Sequence, residues 1–125
     1  MSKAAFTIKA FGVYLLCLGI IVTLAPNQLL SIFGIPQTKE VWVRVAGVLV
    51  FNIGIYYWYA GICEATAFFR ASVYTRTLIL VSFAAFATIG LVSPVIILFG
   101  IVDFLGGLWT RRALRLDLQR VPVGR

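Results

Sequence analysis

Histidine is absent from this chain, and only two cysteines and four carboxylates occur in its 125 residues. The commonest general base and the commonest metal ligand are therefore both missing. Cys17 and Cys63 lack the C-x-x-C spacing of thiol relays and zinc sites, so both read as small apolar packing residues. Glycine-rich phosphate loops, nucleophile elbows and metal-ligand clusters are missing as well. No cofactor is evident, and the chain reads as non-enzymatic. Charge is scarce: 12% of the residues are charged, against roughly 25% in soluble domains. No polar stretch is long enough to form a separate soluble domain.

What is present is apolar. Hydrophobic residues make up 62% of the chain and the mean hydropathy is +1.02. A bilayer-spanning helix needs about 20 mostly apolar residues, and residues 6–25, 41–63, 77–92 and 94–110 come close to that length. The pattern predicts an all-α membrane protein, an up-down bundle of four transmembrane helices. It forms a single integral domain over residues 1–125, with a basic cytoplasmic tail at 111–125. Ser93-Pro94 breaks one helix and starts the next, which makes the last two spans a tight hairpin. In the first outer loop, Gly34 suits a helix C-terminus and Pro36 a stop, so residues 27–33 form either a short interfacial helix or an irregular loop. The first span resembles a signal peptide weakly, but Pro26 just after the cleavage-like Thr23 and Ala25 disfavours cutting.

Charge orients these spans. Lys3, Lys9, Arg70, Arg76, Arg111, Arg112, Arg115, Arg120 and Arg125 fall on one side, and only Lys39 and Arg44 on the other. Basic loops stay cytoplasmic, so both termini are expected inside. The net charge of +7 then needs no nucleic acid, because anionic headgroups of the inner leaflet balance it. Trp42 suits the outer boundary, and Tyr56, Tyr57, Trp58, Tyr59, Tyr74 and Trp109 the inner one, as interfacial anchors. Glu64 and Asp117, on the inner side, read as ordinary solvated charges.

Asp103 is the exception among the carboxylates, since it lies within an apolar run. A charge at the centre of a membrane helix costs roughly 2.5 to 3.5 kcal/mol, so it pairs, stays protonated or faces a wet cavity. Aligning the second and fourth spans at an offset of 53 residues superposes Gly47 and Gly54 on Gly100 and Gly107. On that scale Asn52 lies about 3 Å deeper than Asp103 and Arg44 about 9 Å shallower. Depth favours Asn52 as a partner, whereas the glycine faces point Arg44 toward Asp103. Arg44 can also snorkel to the outer surface or bind an anionic ligand. Three readings of Asp103 stand: a structural carboxylate bonded to Asn52, Ser82 or Tyr14, a proton site in a transport path, or an ion pair with Arg44.

Glycine recurs every seven residues, at Gly12 and Gly19, at Gly47, Gly54 and Gly61, and at Gly100 and Gly107. Such small-residue faces let membrane helices approach closely. The run Leu24-Ala25-Pro26, then Leu30 and Phe33-Gly34-Ile35-Pro36, then Arg44 with Gly47 and Gly54, resembles the small four-helix bacterial membrane proteins of the broad DoxX-like group. The resemblance covers roughly the first two helices. It implies an up-down bundle in the bacterial cytoplasmic membrane, in a group with some members linked to quinone or thiol redox systems. This chain has neither histidine nor paired cysteines to carry electrons. The function expected is an accessory, assembly or interaction module acting through helix faces, as a homo-oligomer or with a larger membrane partner. The alternative is an oligomeric proton-coupled transporter or channel using Asp103. A lipid- or quinone-associated enzyme is a third possibility, without a visible catalytic set.

Overall fold

The computed structural model describes residues 2–119, and every regular element among them is helical. Four helices are long and apolar enough to cross a membrane. They are Lys3–Leu24 (α1), Val41–Ile62 (α3), Thr66–Thr88 (α4) and Pro94–Gln119, the last entering by a 3-10 turn at Pro94–Ile96 and continuing as Ile97–Gln119 (α5). The seven-residue helix Pro26–Ile32 (α2) follows α1 in the chain. Proline suits its first position, because the first turn leaves that N–H unused.

Three helix ends share one closure. After α2, Gly34 N–H donates to Ser31 and Ile35 N–H to Leu30, with Gly34 at φ +70°. After α4, Gly90 at φ +83° and Leu91 repeat this with Ala87 and Phe86. The same paired bonds close α3, but there the left-handed position is held by Glu64 at φ 52°. Glycine takes that conformation without strain, and glutamate does not.

Three boundaries differ from the sequence expectation. The third span was expected over residues 77–92 with its break at Ser93-Pro94, yet α4 runs Thr66–Thr88 and Gly90 closes it. Arg70 and Arg76 read as loop charges, whereas both lie on the helix, with Arg76 turned inward beside Phe69 and Ser72. The stretch after residue 110 was expected as a tail, yet α5 continues to Gln119. Its buried Gly107, Thr110 and Ala113 recur at helical spacing and carry the inner stripe onward. Arg120 and Arg125 lie outside the described residues.

The chain divides into two compact units, Ala10–Tyr59 and the remainder. In the Ala10–Tyr59 unit, α1 and α3 run antiparallel and meet at glycines. A Cβ on Gly19 would lie 2.6 Å from Phe51 N, and one on Gly47 2.7 Å from Thr23 N. Gly12 and Gly54 face each other's carbonyls at 3.1 and 3.0 Å. Tyr57, expected as an interfacial anchor, is only 6% exposed and packs on Phe11 with ring centroids 5.4 Å apart. It belongs to the core of this unit, where Phe11 packs on both Tyr57 and Tyr14.

In the other unit, α4 and α5 pack antiparallel along their lengths. Gly100 sits over Leu80, whose Cα is 3.0 Å from where a Cβ would stand, and Gly107 sits over Arg76 and Val73. Ala4, Ala5, Ile8, Phe69 and Ala113 are buried here, together with the polar Thr7, Ser72, Arg76 and Thr110. Leu78, Val81, Val102 and Leu105 remain exposed. The pair is thus apolar outside and partly polar within.

Candidate functional site

The α4–α5 pair gathers the buried polar groups. Asp103 is half-buried on α5, between the buried Gly100 and Gly107 one turn to either side. Gly107 leaves room for Arg76 of α4, whose Cβ lies 3.6 Å from the site of the missing methyl. Arg76 is only 2% exposed, and its guanidinium acts electrostatically on the Asp103 carboxylate. Its Nη2 donates to Ser72 Oγ at 3.0 Å, and that hydroxyl donates onward to the Phe69 carbonyl at 2.7 Å. A guanidinium keeps its proton in proteins, so this helix pair encloses a fixed positive charge on α4, packed against the helix that carries the titratable Asp103.

Sequence reasoning missed Arg76. The signal was its spacing, since Phe69, Ser72 and Arg76 fall at i, i+3 and i+7 of one helical stripe. Ser82, expected as a partner for Asp103, is half-buried on α4, and no hydrogen bond joins the two among the described residues.

Toward the start of α1 the polar interior continues. Thr7 and Thr110 share a hydroxyl–hydroxyl bond of 2.8 Å, and Thr7 donates to the Ala4 carbonyl at 2.7 Å. The register of α4 on α5 brings Ser72 to the level of Thr110. At the first turn of α1, the carboxylates expected to be solvated are both engaged. Asp117 accepts from Lys3 N at 3.1 Å and Ala4 N at 2.9 Å. Glu64 accepts from Ser2 N at 2.7 Å and Ser2 Oγ at 2.6 Å, while Ser2 Oγ accepts from Ala5 N at 3.0 Å. These bonds to Ser2 hold the Glu64 carboxyl below its usual pKa of 4.5. The arrangement is a capping box whose acidic member comes from the α3–α4 turn, because Ala5 occupies its usual place in α1.

The other candidates lie in the Ala10–Tyr59 unit. Arg44 is exposed at the start of α3, and its Nη1 donates to the Thr23 carbonyl at 2.6 Å and reaches that of Leu24 at 3.5 Å. A cation there meets the orphan carbonyls and the negative end of the α1 dipole. Asn52 is exposed on α3 among the exposed Val48, Leu49, Ile53 and Tyr56. Tyr14 is half-buried, with its ring against Phe11 at 5.3 Å between centroids. Cys17 and Cys63 are both free thiols.

These features define a helical chain with four helices fit to span a membrane and a charged interior in one helix pair. Comparison with protein-family models, with curated proteins and with solved structures finds no match.

Proposed function

We propose that this chain is a small multi-pass protein of the bacterial cytoplasmic membrane, an up-down four-helix bundle with both termini cytoplasmic, acting as an accessory or interaction module through its helix faces. The resemblance to the DoxX-like group supports that placement, as does the excess of basic residues on one side. The observation that carries the interaction reading is Asn52. An amide exposed between valine, leucine and isoleucine on a membrane helix leaves two donors and an acceptor unsatisfied in lipid. A facing helix, from a second copy or a larger membrane protein, satisfies them. Interhelical hydrogen bonds in membranes contribute about 0.6 to 2 kcal/mol. Asn52→Leu therefore weakens association about three- to thirtyfold while the chain stays folded. Native mass spectrometry in nanodiscs reads this directly, and an unchanged assembly for Asn52→Leu sinks the reading.

A second reading draws on Asp103. A half-buried carboxylate on α5, within electrostatic reach of the buried Arg76 and with the hydroxyls of Ser72, Thr110 and Thr7 toward the start of α1, suits proton movement through an oligomer. Proton flux into liposomes that is lost in folded Asp103→Asn favours the transporter. Retained assembly with a partner in the same variant favours the module.

A further inference from the structure

We infer that the start of α1 and the end of α5 form a binding site for the headgroup of an anionic phospholipid. Between them lies a groove of about 410 Å³, lined among others by Lys3, Phe6, Trp109, Arg112 and Leu116. That volume falls within the range that holds a small ligand.

The lining is layered by depth. Lys3 precedes Phe6 by three residues on α1, and Arg112 follows Trp109 by three on α5, so each cation stands about 4.5 Å closer to the helix end than its aromatic neighbour. Phe6 and Trp109 meet edge to face at 6.0 Å and 85°, and both remain about half exposed. A phospholipid has the same order, a phosphate at the rim and acyl chains beneath it.

The charge is available for a ligand. Asp117 and Glu64, the carboxylates at this end, are occupied by the N–H groups of Ser2, Lys3 and Ala4. Among the described residues, neither the Lys3 nor the Arg112 side chain closes on a carboxylate, and both are exposed. A guanidinium and an ammonium on opposite walls suit a phosphodiester, while the Trp109 indole sits where interfacial tryptophans meet headgroups. The site belongs to the lipid and not to a soluble phosphate, since half of its wall is aromatic or aliphatic.

This inference rests on the membrane reading, which is tested separately by flotation of the reconstituted protein with liposomes. The Trp42→Phe/Trp58→Phe protein, carrying Trp109 alone, is placed in phosphatidylcholine vesicles with a minor fraction of tail-brominated lipid. A basic residue near the surface attracts anionic lipid by about 1 kcal/mol, which is about fivefold. Brominated phosphatidylglycerol is thus expected to quench Trp109 about fivefold more effectively than brominated phosphatidylcholine. Lys3→Gln/Arg112→Gln abolishes that excess, while Arg112→Lys and Arg115→Gln retain it. Equal quenching by the two lipids overturns the site. So does an excess that survives in the double variant, or one displaced by inorganic phosphate. Flotation with equal quenching would reject the site and leave the membrane reading intact.

Discussion

α1 and α3 meet backbone to backbone at four glycines, whereas α4 and α5 approach that closely only at Gly100 and part at Gly107. In the first pair a Cβ on Gly19 would stand 2.6 Å from a main-chain nitrogen, and in the second a Cβ on Gly107 would stand 3.6 Å from the Arg76 Cβ. Both pairs are antiparallel and both carry glycines seven residues apart. Identical spacing therefore serves two purposes: at Gly12, Gly19, Gly47, Gly54 and Gly100 it removes volume so that helices approach closely, and at Gly107 it makes room for a large charged side chain.

The widest gap between the pairs is expected from alanine at these two glycines. Gly19→Ala forces a methyl against the Phe51 backbone, which cannot rotate away, and costs about 3 kcal/mol. Gly107→Ala makes only an ordinary contact and gains helix propensity, stabilising by about 0.5 to 1 kcal/mol. Unfolding midpoints in detergent are expected to move in opposite directions. If Gly107→Ala destabilises as much as Gly19→Ala, Gly107 is backbone-packed as well and the contrast fails.

A second test concerns what the room at Gly107 is for. Arg76→Met removes the cation and leaves Asp103 without its compensating charge, and Asp103→Asn removes the need for one. The double variant is expected to lose less than the sum of the singles, with a coupling of about 1 kcal/mol. Strict additivity would mean that Arg76 is held by Ser72 and packing alone.

The four apolar spans were legible in the sequence, as were the stop at Gly34 and the start of the last helix at Pro94, because hydropathy and turn chemistry act locally; the end of α4 at Gly90 was not. Nor was its start. A window average treats an arginine on an inward face like one in a loop, and only the Phe69, Ser72, Arg76 stripe distinguishes them. Tyr57 misled similarly, since its neighbours Tyr56 and Tyr59 are 65% and 63% exposed and only helical phase turns it inward. The roles of Glu64 and Asp117 could not be read at all. Their partners are 62 and more than 110 residues away, so the caps exist only once the helices have met. Arg44 was read as snorkelling outward, pairing with Asp103 or binding an anion; it is exposed and closes the end of α1, a contact created by the chain's return through α2.

The smallest effect, and the sharpest on the polar end of the molecule, comes from Glu64. Its left-handed backbone costs about 1 kcal/mol, while its cap on Ser2 contributes a comparable amount. Glu64→Ala keeps the strain and loses the cap, so it is expected to cost about 1 kcal/mol. Glu64→Gly loses the cap but relieves the strain, and should be nearly neutral. The pH dependence separates the two terms, because only the cap titrates. The folded pKa of Glu64 lies below its usual 4.5, chiefly through the Ser2 hydrogen bonds. Its contribution is therefore complete above the unfolded pKa and is lost as pH falls through the folded one. Relative to wild type, Glu64→Gln should lose its stability deficit as the solution is acidified below about pH 4.5. A deficit that persists unchanged at low pH would show that the ionised cap is not its source, and leave α1 held at this end by Asp117 and the Thr7–Thr110 bond.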